Sequence, residues 1–311
     1  MSIEFDVIVI GGSYAGQSAA LQLARARKRI AVVDAGRRRN RFAAHSHGFL
    51  GQDGRAPGDI VADARAQLLA YPTVLWVNGE ALAARADGEG FVVTLADREL
   101  RGRRLVLATG VTDELPAVDG LTERWGRSVF HCPYCHGYEL GQRPVGVLAT
   151  GESSLHQALL LPDWGPTTLF LNSAVTPDAT QAAHLAARGV TVEATSVQRV
   201  DGDITVHLAD GRTLALAGLF VATRTRMASP LAEQLGCAFD EGPAGPSIRR
   251  SAMNETTVPG VFACGDAARA FANVAVNVGD GAFTGAAAHR SLITAPAPVQ
   301  PTGVGREGPN G

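Results

Sequence analysis

Asp6-Val7-Ile8-Val9-Ile10-Gly11-Gly12-Ser13-Tyr14-Ala15-Gly16 is the stretch that decides the fold. An apolar run of strand length enters a glycine turn, and the residues beyond it, through Leu21 and Leu23, carry a helical pattern. A second apolar run, residues 30–33, ends in Asp34. Strand, glycine turn, helix, strand and terminal acid are the parts of a dinucleotide-binding βαβ unit. The turn seats a pyrophosphate against a helix N-terminus, and an acid after the second strand accepts hydrogen bonds from ribose hydroxyls. Gly11, Gly12, Ser13, Ala15, Gly16 and Asp34 are therefore candidate cofactor contacts. Ser13 replaces the second glycine of the fingerprint but is small enough to leave the backbone accessible. The competing reading is a glycine turn in a nucleotide-free α/β unit, against which stand the preceding strand and the position of Asp34.

The chain has 311 residues and a net charge of −2. That length suits two domains with buried cores, and the charge supplies no global field for nucleic acid or an anionic membrane. No apolar run is long enough to span a membrane, and the start Met1-Ser2-Ile3-Glu4-Phe5-Asp6 lacks a signal pattern, so the expected setting is the cytoplasm. Structural disulfides are rare there. This bears on the second informative stretch, His131-Cys132-Pro133-Tyr134-Cys135-His136, which holds two of only four cysteines. The Cys-x-x-Cys spacing lets both sulfurs meet if the segment opens a helix. Pro133 fits a first helical turn, and a helix N-terminus stabilises the thiolate. A reversible redox disulfide is the expected chemistry, with His131 and His136 as proton acceptors beside it. A zinc site would need a second pair, whereas Cys237 and Cys264 are remote, lie in apolar sequence and read as small hydrophobes. No metal is expected.

Between these stretches, residues 37–41 form a basic loop that can flank the adenosine end of a nucleotide, and the histidine- and glycine-rich residues 45–54 read as an active-site loop. A helix is expected at 60–70 and strands at 74–77, 91–95, 99–101 and 105–107, the last ending in the turn Ala108-Thr109-Gly110. Residues 116–120 mark a crossover. A second strand-turn-helix unit follows at 144–161, with further strands at 168–171, 190–192, 204–208 and 219–221. The Pro- and Gly-rich residues 241–246 read as a return linker. An apolar strand at 261–266 ending in Asp266, a helix at 277–292 and an unstructured Pro- and Gly-rich tail complete the chain.

Together the glycine turn, Ala108-Thr109-Gly110, Cys132-x-x-Cys135 after the crossover and Pro259-Gly260-Val261-Phe262-Ala263-Cys264-Gly265-Asp266 resemble the low-molecular-weight thioredoxin reductase family. The resemblance implies an α/β fold of two Rossmann-type domains. An FAD domain comes from residues 1–117 and 247–295, an inserted redox-disulfide domain from 118–246, and a flexible tail from 296–311. It also implies a homodimer. Asp266 would accept a ribityl hydroxyl beside Gly265, and Ala35, Asn40, Arg41, His47, Ala108, Thr109, Gly110, Val274 and Ala275 would complete the FAD site. The chain departs from the reductase pattern in three places. Ala149-Thr150-Gly151-Glu152-Ser153-Ser154 replaces the glycine turn for NADPH, Asn172-Ser173-Ala174-Val175-Thr176 holds none of the basic residues for a 2′-phosphate, and His136 replaces the acid after the second cysteine. The Cys-Pro-Tyr-Cys-His-Gly form resembles the dithiol oxidases that close the disulfides of gliotoxin- and holomycin-type natural products. That resemblance implies FAD without NADPH, a small-molecule dithiol substrate attacking Cys132, Cys135 facing the flavin, and O2 reduced to H2O2. His136, with an ordinary imidazole pKa, would be the base. The rival readings are a disulfide reductase drawing on NADPH or another donor, and a flavin redox sensor.

Overall fold

The computed structural model describes residues 4–294; the tail expected at 296–311 lies outside them. The chain first lays down β1 (Phe5–Ile10), α1 (Tyr14–Arg25), β2 (Ile30–Asp34), α2 (Pro57–Leu69), β3 (Val74–Asn78), β4 (Ala83–Asp87), β5 (Gly90–Thr94), β6 (Glu99–Leu107) and β7 (Val111–Glu114). Its middle adds α3 (Leu121–Arg124), β8 (Val129–Phe130), α4 (Pro133–His136), β9 (Val145–Leu148), α5 (Ser153–Leu160), β10 (Thr167–Phe170), α6 (Ala179–Ala187), β11 (Thr191–Glu193), β12 (Val197–Asp201), β13 (Thr205–Leu208), β14 (Thr213–Ala215) and β15 (Gly218–Val221). The return comprises β16 (Arg224–Met227), α7 (Leu231–Gln234), β17 (Phe239–Gly242), β18 (Gly245–Ile248), β19 (Val261–Ala263) and α8 (Val274–Thr294).

Val7, Ile8 and Val9 are fully buried, as a continuous apolar strand covered on both faces requires. The first sheet runs β3-β2-β1-β6-β5-β4, with β19 also paired to β6. Val9 lies opposite Val32 and Val106, and Val106 opposite Phe262, so both ends of the chain build one parallel core. Helices α1 and α8 touch backbone to backbone. A Cβ on Gly281 would come 2.1 Å from the Ala15 carbonyl oxygen, and one on Gly285 2.3 Å from that of Ala19.

Strand β6 runs unbroken for nine residues where the sequence suggests two strands. It changes partners along its length: residues 99–102 pair antiparallel with β5, and residues 105–107 pair in parallel with β1 and β19. Arg104 does not turn the chain because its guanidinium has partners in place, donating to the hydroxyl and carbonyl of Ser291 on α8.

The second unit is a parallel sheet, β11-β10-β9-β15-β8, beside an antiparallel β12-β13-β14 sheet. Strands β7 and β16 pair antiparallel where the chain crosses out and back. The return therefore comes earlier than the expected boundary at 246–247. Leu231, Ala232 and Cys237 already belong to the core of the first sheet. Residues 241–246 are not a linker but the turn of the β17–β18 hairpin, and the Thr225 N–H of β16 donates to the Ala244 carbonyl at 2.7 Å. Proline and glycine serve a hairpin turn as well as a linker. Among the described residues, no helix is long and apolar enough to cross a membrane.

Candidate redox and cofactor site

A cavity of about 550 Å³ lies where the glycine turn, the loop after β2, the first turn of α8 and the Cys-x-x-Cys helix converge. His131, Cys132, Cys135 and His136 all line it, as do all the expected cofactor residues except Gly16 and Ala275. Gly16 instead supports the turn from beneath, since a Cβ there would lie 1.8 Å from the Gly11 carbonyl oxygen. Gly11 has φ +107°, and a Cβ on it would come 2.1 Å from the Ala108 carbonyl oxygen, so the turn rests directly on the end of β6.

Several buried polar atoms of the lining have no partner among the described residues: Asn40 Oδ1, Asn277 Oδ1, Arg38 Nε and His131 Nδ1. Asp34 accepts the Gly12 N–H at 3.2 Å, and Asp266 accepts from Asn277 at 2.9 Å. Unpartnered amides and a guanidinium around a glycine cradle fit the hydroxyls and pyrophosphate of FAD. Asn40 also donates to the Tyr14 hydroxyl at 3.0 Å, which fastens the loop after β2 to the glycine turn.

Cys132 occupies the N-cap position of the short helix α4, with Pro133 in its first turn as expected. The Cys135 thiol donates to the Cys132 sulfur and pulls Cys132 below the ordinary thiol range, against burial; the N–H groups of Cys135 and Tyr134 and the charge of Arg39 add to this. The same thiol contact, then burial, pushes Cys135 upward. In the open dithiol the negative sulfur is therefore Cys132, and Cys135 keeps its proton. His136 stacks on Phe130, with ring centroids 4.4 Å apart. Burial pushes it down to about 4, Glu139 opposing and His47 assisting. This corrects the expectation of an imidazole titrating near neutrality: His136 is a neutral hydrogen-bonding group and a weak base. Burial, then Arg39, also lowers His131. His47 Nδ1 stands 3.5 Å from Glu139 and 3.7 Å from Asp53, joining the loop of the first unit to the end of the redox segment. Cys237 and Cys264 are buried as expected, and burial pushes Cys264 up to about 12.

The family model for pyridine nucleotide-disulphide oxidoreductases matches residues 5–281. The chain belongs to this family. It is 32% identical over 307 residues to thioredoxin reductase sirT of Leptosphaeria maculans, covering 90% of this chain and 92% of that one. It is 31% identical to thioredoxin reductase tcpT of Claviceps purpurea, covering 93% and 94%. Among solved structures, an oxidoreductase from Agrobacterium tumefaciens is 58% identical with a TM-score of 0.91, covering 94% of this chain and 99% of that one. HlmI is 38% identical with a TM-score of 0.86, covering 93% and 92%. The protein is thus a thioredoxin-reductase-like, FAD-binding disulfide oxidoreductase.

This pyridine nucleotide-disulphide oxidoreductase also uses residues that the sequence does not single out. Arg39 donates to both carboxylate oxygens of Asp113, at 2.9 and 2.6 Å, and to Asp266 at 3.2 Å. The hydroxyl of Thr223, on the returning crossing, donates to the same Asp113 at 2.8 Å. Burial would raise Asp113, yet Arg39 and Thr223 bring it below the usual carboxylate range. Behind Asp266, the Asp280 carboxylate accepts the Gly265 N–H at 2.9 Å and fixes the turn that presents Asp266. Only the alternation of Thr112 and Asp113 after Gly110, and the acid between two glycines at 279–281, hinted at these roles.

Proposed function

We propose that this protein is an FAD-dependent dithiol oxidase that closes a disulfide in a small-molecule dithiol, with Cys132 and Cys135 as redox pair and O2 as final acceptor. The observation that carries this reading is the turn at residues 149–154, which is occupied by its own side chains where a pyridine nucleotide needs bare N–H groups. The Thr150 N–H donates to Ser154 Oγ at 2.9 Å, the Thr150 hydroxyl to the Ala222 carbonyl at 2.6 Å, and Glu152 brings a carboxylate that accepts from Gln181 at 3.2 Å. Beyond β10, the Asn172 side chain accepts the Val197 N–H at 3.0 Å, and residues 172–176 contain no cation. A 2′-phosphate there forfeits charge-assisted bonds of about 1.5–3 kcal/mol each.

The cycle starts with the pair as a disulfide. One substrate thiolate attacks Cys132 Sγ, and Cys135 leaves and takes up a proton. The second substrate thiolate attacks its partner sulfur in the mixed disulfide, which closes the ring and releases Cys132. Cys132 is a good leaving group because its thiolate is stabilised. Two electrons now reside in the dithiol pair. FAD, held by the glycine turn at 11–16 with Asp34, Asn40, Asp266 and Asn277, would supply the acceptor for this pair of electrons, with O2 as the final oxidant and H2O2 as the product. His136 holds a neutral imidazole beside the exchange, where it orients thiols by hydrogen bonding. The proposed partners are the dithiol and O2 alone, without nucleic acid or membrane, and the proposed setting and assembly are the cytoplasm and a homodimer.

The test is anaerobic. Flavin absorbance is followed while the enzyme is titrated with dithiothreitol and, separately, with NADPH, and air is then admitted. Bleaching by the dithiol alone, with recovery and stoichiometric peroxide in air, is expected. Stoichiometric bleaching by NADPH refutes the oxidase and makes the protein a reductase, whereas no bleaching by either points to a sensor.

A further inference from the structure

The exchange cycle needs Cys132 held in place, yet α4 is a helix of four residues, far short of the about 12–15 at which an isolated helix becomes stable in water. Cys132 makes no side-chain capping bond at its N-terminus. The backbone bonds of the turn run from the Cys135 N–H to the Cys132 carbonyl at 3.3 Å and from the Gly137 N–H to the Pro133 carbonyl at 2.7 Å. What places the turn lies outside the motif. Gln157 of α5 is 7% exposed, and its amide donates at 2.7 Å to the carbonyl of His131, the residue before Cys132. Trp164, just beyond the end of α5, lies against the other end of α4. A Cβ on Gly137 would come 2.6 Å from its Cδ1 and 2.7 Å from its Cγ, and the Tyr134 ring meets it edge-on with centroids 5.2 Å apart. Helix α5 is itself anchored at its first turn, where Ser154 Oγ accepts the Thr150 N–H at 2.9 Å and the Thr150 hydroxyl donates to the Ala222 carbonyl at 2.6 Å.

We propose that Gln157 and Trp164 are positioning residues of the redox centre: they clamp α4 at its two ends and so set where Cys132 Sγ is presented to a thiol. Gln157 fixes the peptide that leads into the N-cap. The N–H groups of Tyr134 and Cys135 then stay aimed at the Cys132 sulfur, which they stabilise when it is negative. Trp164 fixes the exit, because its ring fills the space a Cβ would take, and only glycine at 137 lets the backbone sit that close. Neither side chain lines the redox cavity, so both act through α4 rather than on a bound molecule. The inference rests on the reading of Cys132 as the exchanging sulfur, and it is independent of what finally accepts the electrons.

The test measures Cys132 itself. Holoenzyme is reduced with dithiothreitol, freed of reductant without air and alkylated with iodoacetamide from pH 5 to 9, and labelling of Cys132 is quantified by mass spectrometry. Gln157→Met keeps the shape of the side chain and removes the donor, and Trp164→Ala removes the ring. Each is expected to slow labelling about threefold to tenfold on the acid side, the effect of raising the apparent pKa of Cys132 by about half to one unit. Trp164→Phe keeps an aromatic ring against Gly137 and is expected to stay within about twofold of the wild type. Val206→Ala opens a cavity in the other core cluster of the inserted unit, controls for lost stability alone and is expected to superimpose on the wild type. A Gln157→Met profile that superimposes on the wild type overturns the proposal, and this isosteric variant decides alone if Trp164→Ala does not fold. So does Val206→Ala labelling slowed as much as that of the clamp variants, or Trp164→Phe labelling as slow as that of Trp164→Ala. Labelling uses neither oxygen nor NADPH, so bleaching of the flavin by NADPH refutes the oxidase and leaves this inference standing, whereas unchanged labelling removes only this inference.

Discussion

Asp280→Asn is expected to destabilise the first unit by about 3–5 kcal/mol, the usual cost of leaving a buried ion without its partner. The Asp280 carboxylate accepts from Arg250 at 3.0 Å, Arg269 at 3.1 Å, Asn254 at 3.2 Å and the Gly265 N–H at 2.9 Å. Its side chain is 3% exposed, that of Arg250 12% and that of Arg269 44%. Asparagine removes the charge and turns one acceptor into a donor that faces other donors. Arg269 can swing to water, and Arg250 cannot, so the stranded Arg250 dominates the cost. Arg269→Gln is the internal control and is expected to cost less than about 1 kcal/mol. Because Asp280 also holds the Gly265 amide, flavin should be lost along with stability. Urea unfolding at pH 7, read by tryptophan fluorescence and by release of flavin fluorescence, gives both quantities. Burial would raise Asp280, yet Arg250 and the Gly265 amide depress it overall. A depressed carboxylate contributes stability above its unfolded value, about 3.9, and that stability is lost as pH falls through the lower folded value. The curves for wild type and variant should therefore converge in acid. A difference below about 1 kcal/mol at pH 7, or a gap that does not begin to narrow as pH falls below about 4, refutes the reasoning.

Gly281→Val is expected to force α1 and α8 apart, since the new Cβ would meet the Ala15 carbonyl oxygen at 2.1 Å; the cost is about 1–3 kcal/mol with reduced flavin content, and an unchanged melting temperature and absorbance ratio would contradict the packing account. His136 is pushed by burial to about 4, below an unfolded value of about 6.5, so acid destabilises the native state across that window by up to about 1.4 kcal/mol per pH unit. His136→Asn should flatten that slope in urea unfolding. It should leave the shape of the dithiol-oxidation profile above pH 6 intact, and disappearance of an inflection between pH 6 and 8 in the variant would show that His136 titrates during turnover.

What could be read from the chain and what could not divide by the range of the interactions. The glycine turn at 11–16 was legible because its requirements are met within one strand-turn-helix, and Cys132-Pro133-Tyr134-Cys135 because two sulfurs three residues apart carry their chemistry in their spacing. The identity of His136 was equally visible, but its protonation depends on its burial, with Phe130 stacked on it, and on the charges of Glu139 and His47, none of which is a property of the motif. Residues 241–246 misled because proline and glycine specify a bend without specifying what the flanking strands pair with, and only the contact with Thr225 makes this bend a hairpin. Arg39 is the limiting case. It sits among Arg37, Arg38 and Arg41, and nothing local separates it from them. The acids that select it lie 74 and 227 residues away in the chain, at Asp113 and Asp266. The kind of chemistry is thus written in short stretches, and the electrostatic tuning of that chemistry is written across the chain crossings. Replacing a Cys-x-x-Cys residue should therefore abolish exchange outright, while replacing Arg39, Asp113 or Asp280 should leave the exchange chemistry in place and change the stability of the turn that presents Asp266 and its hold on the flavin.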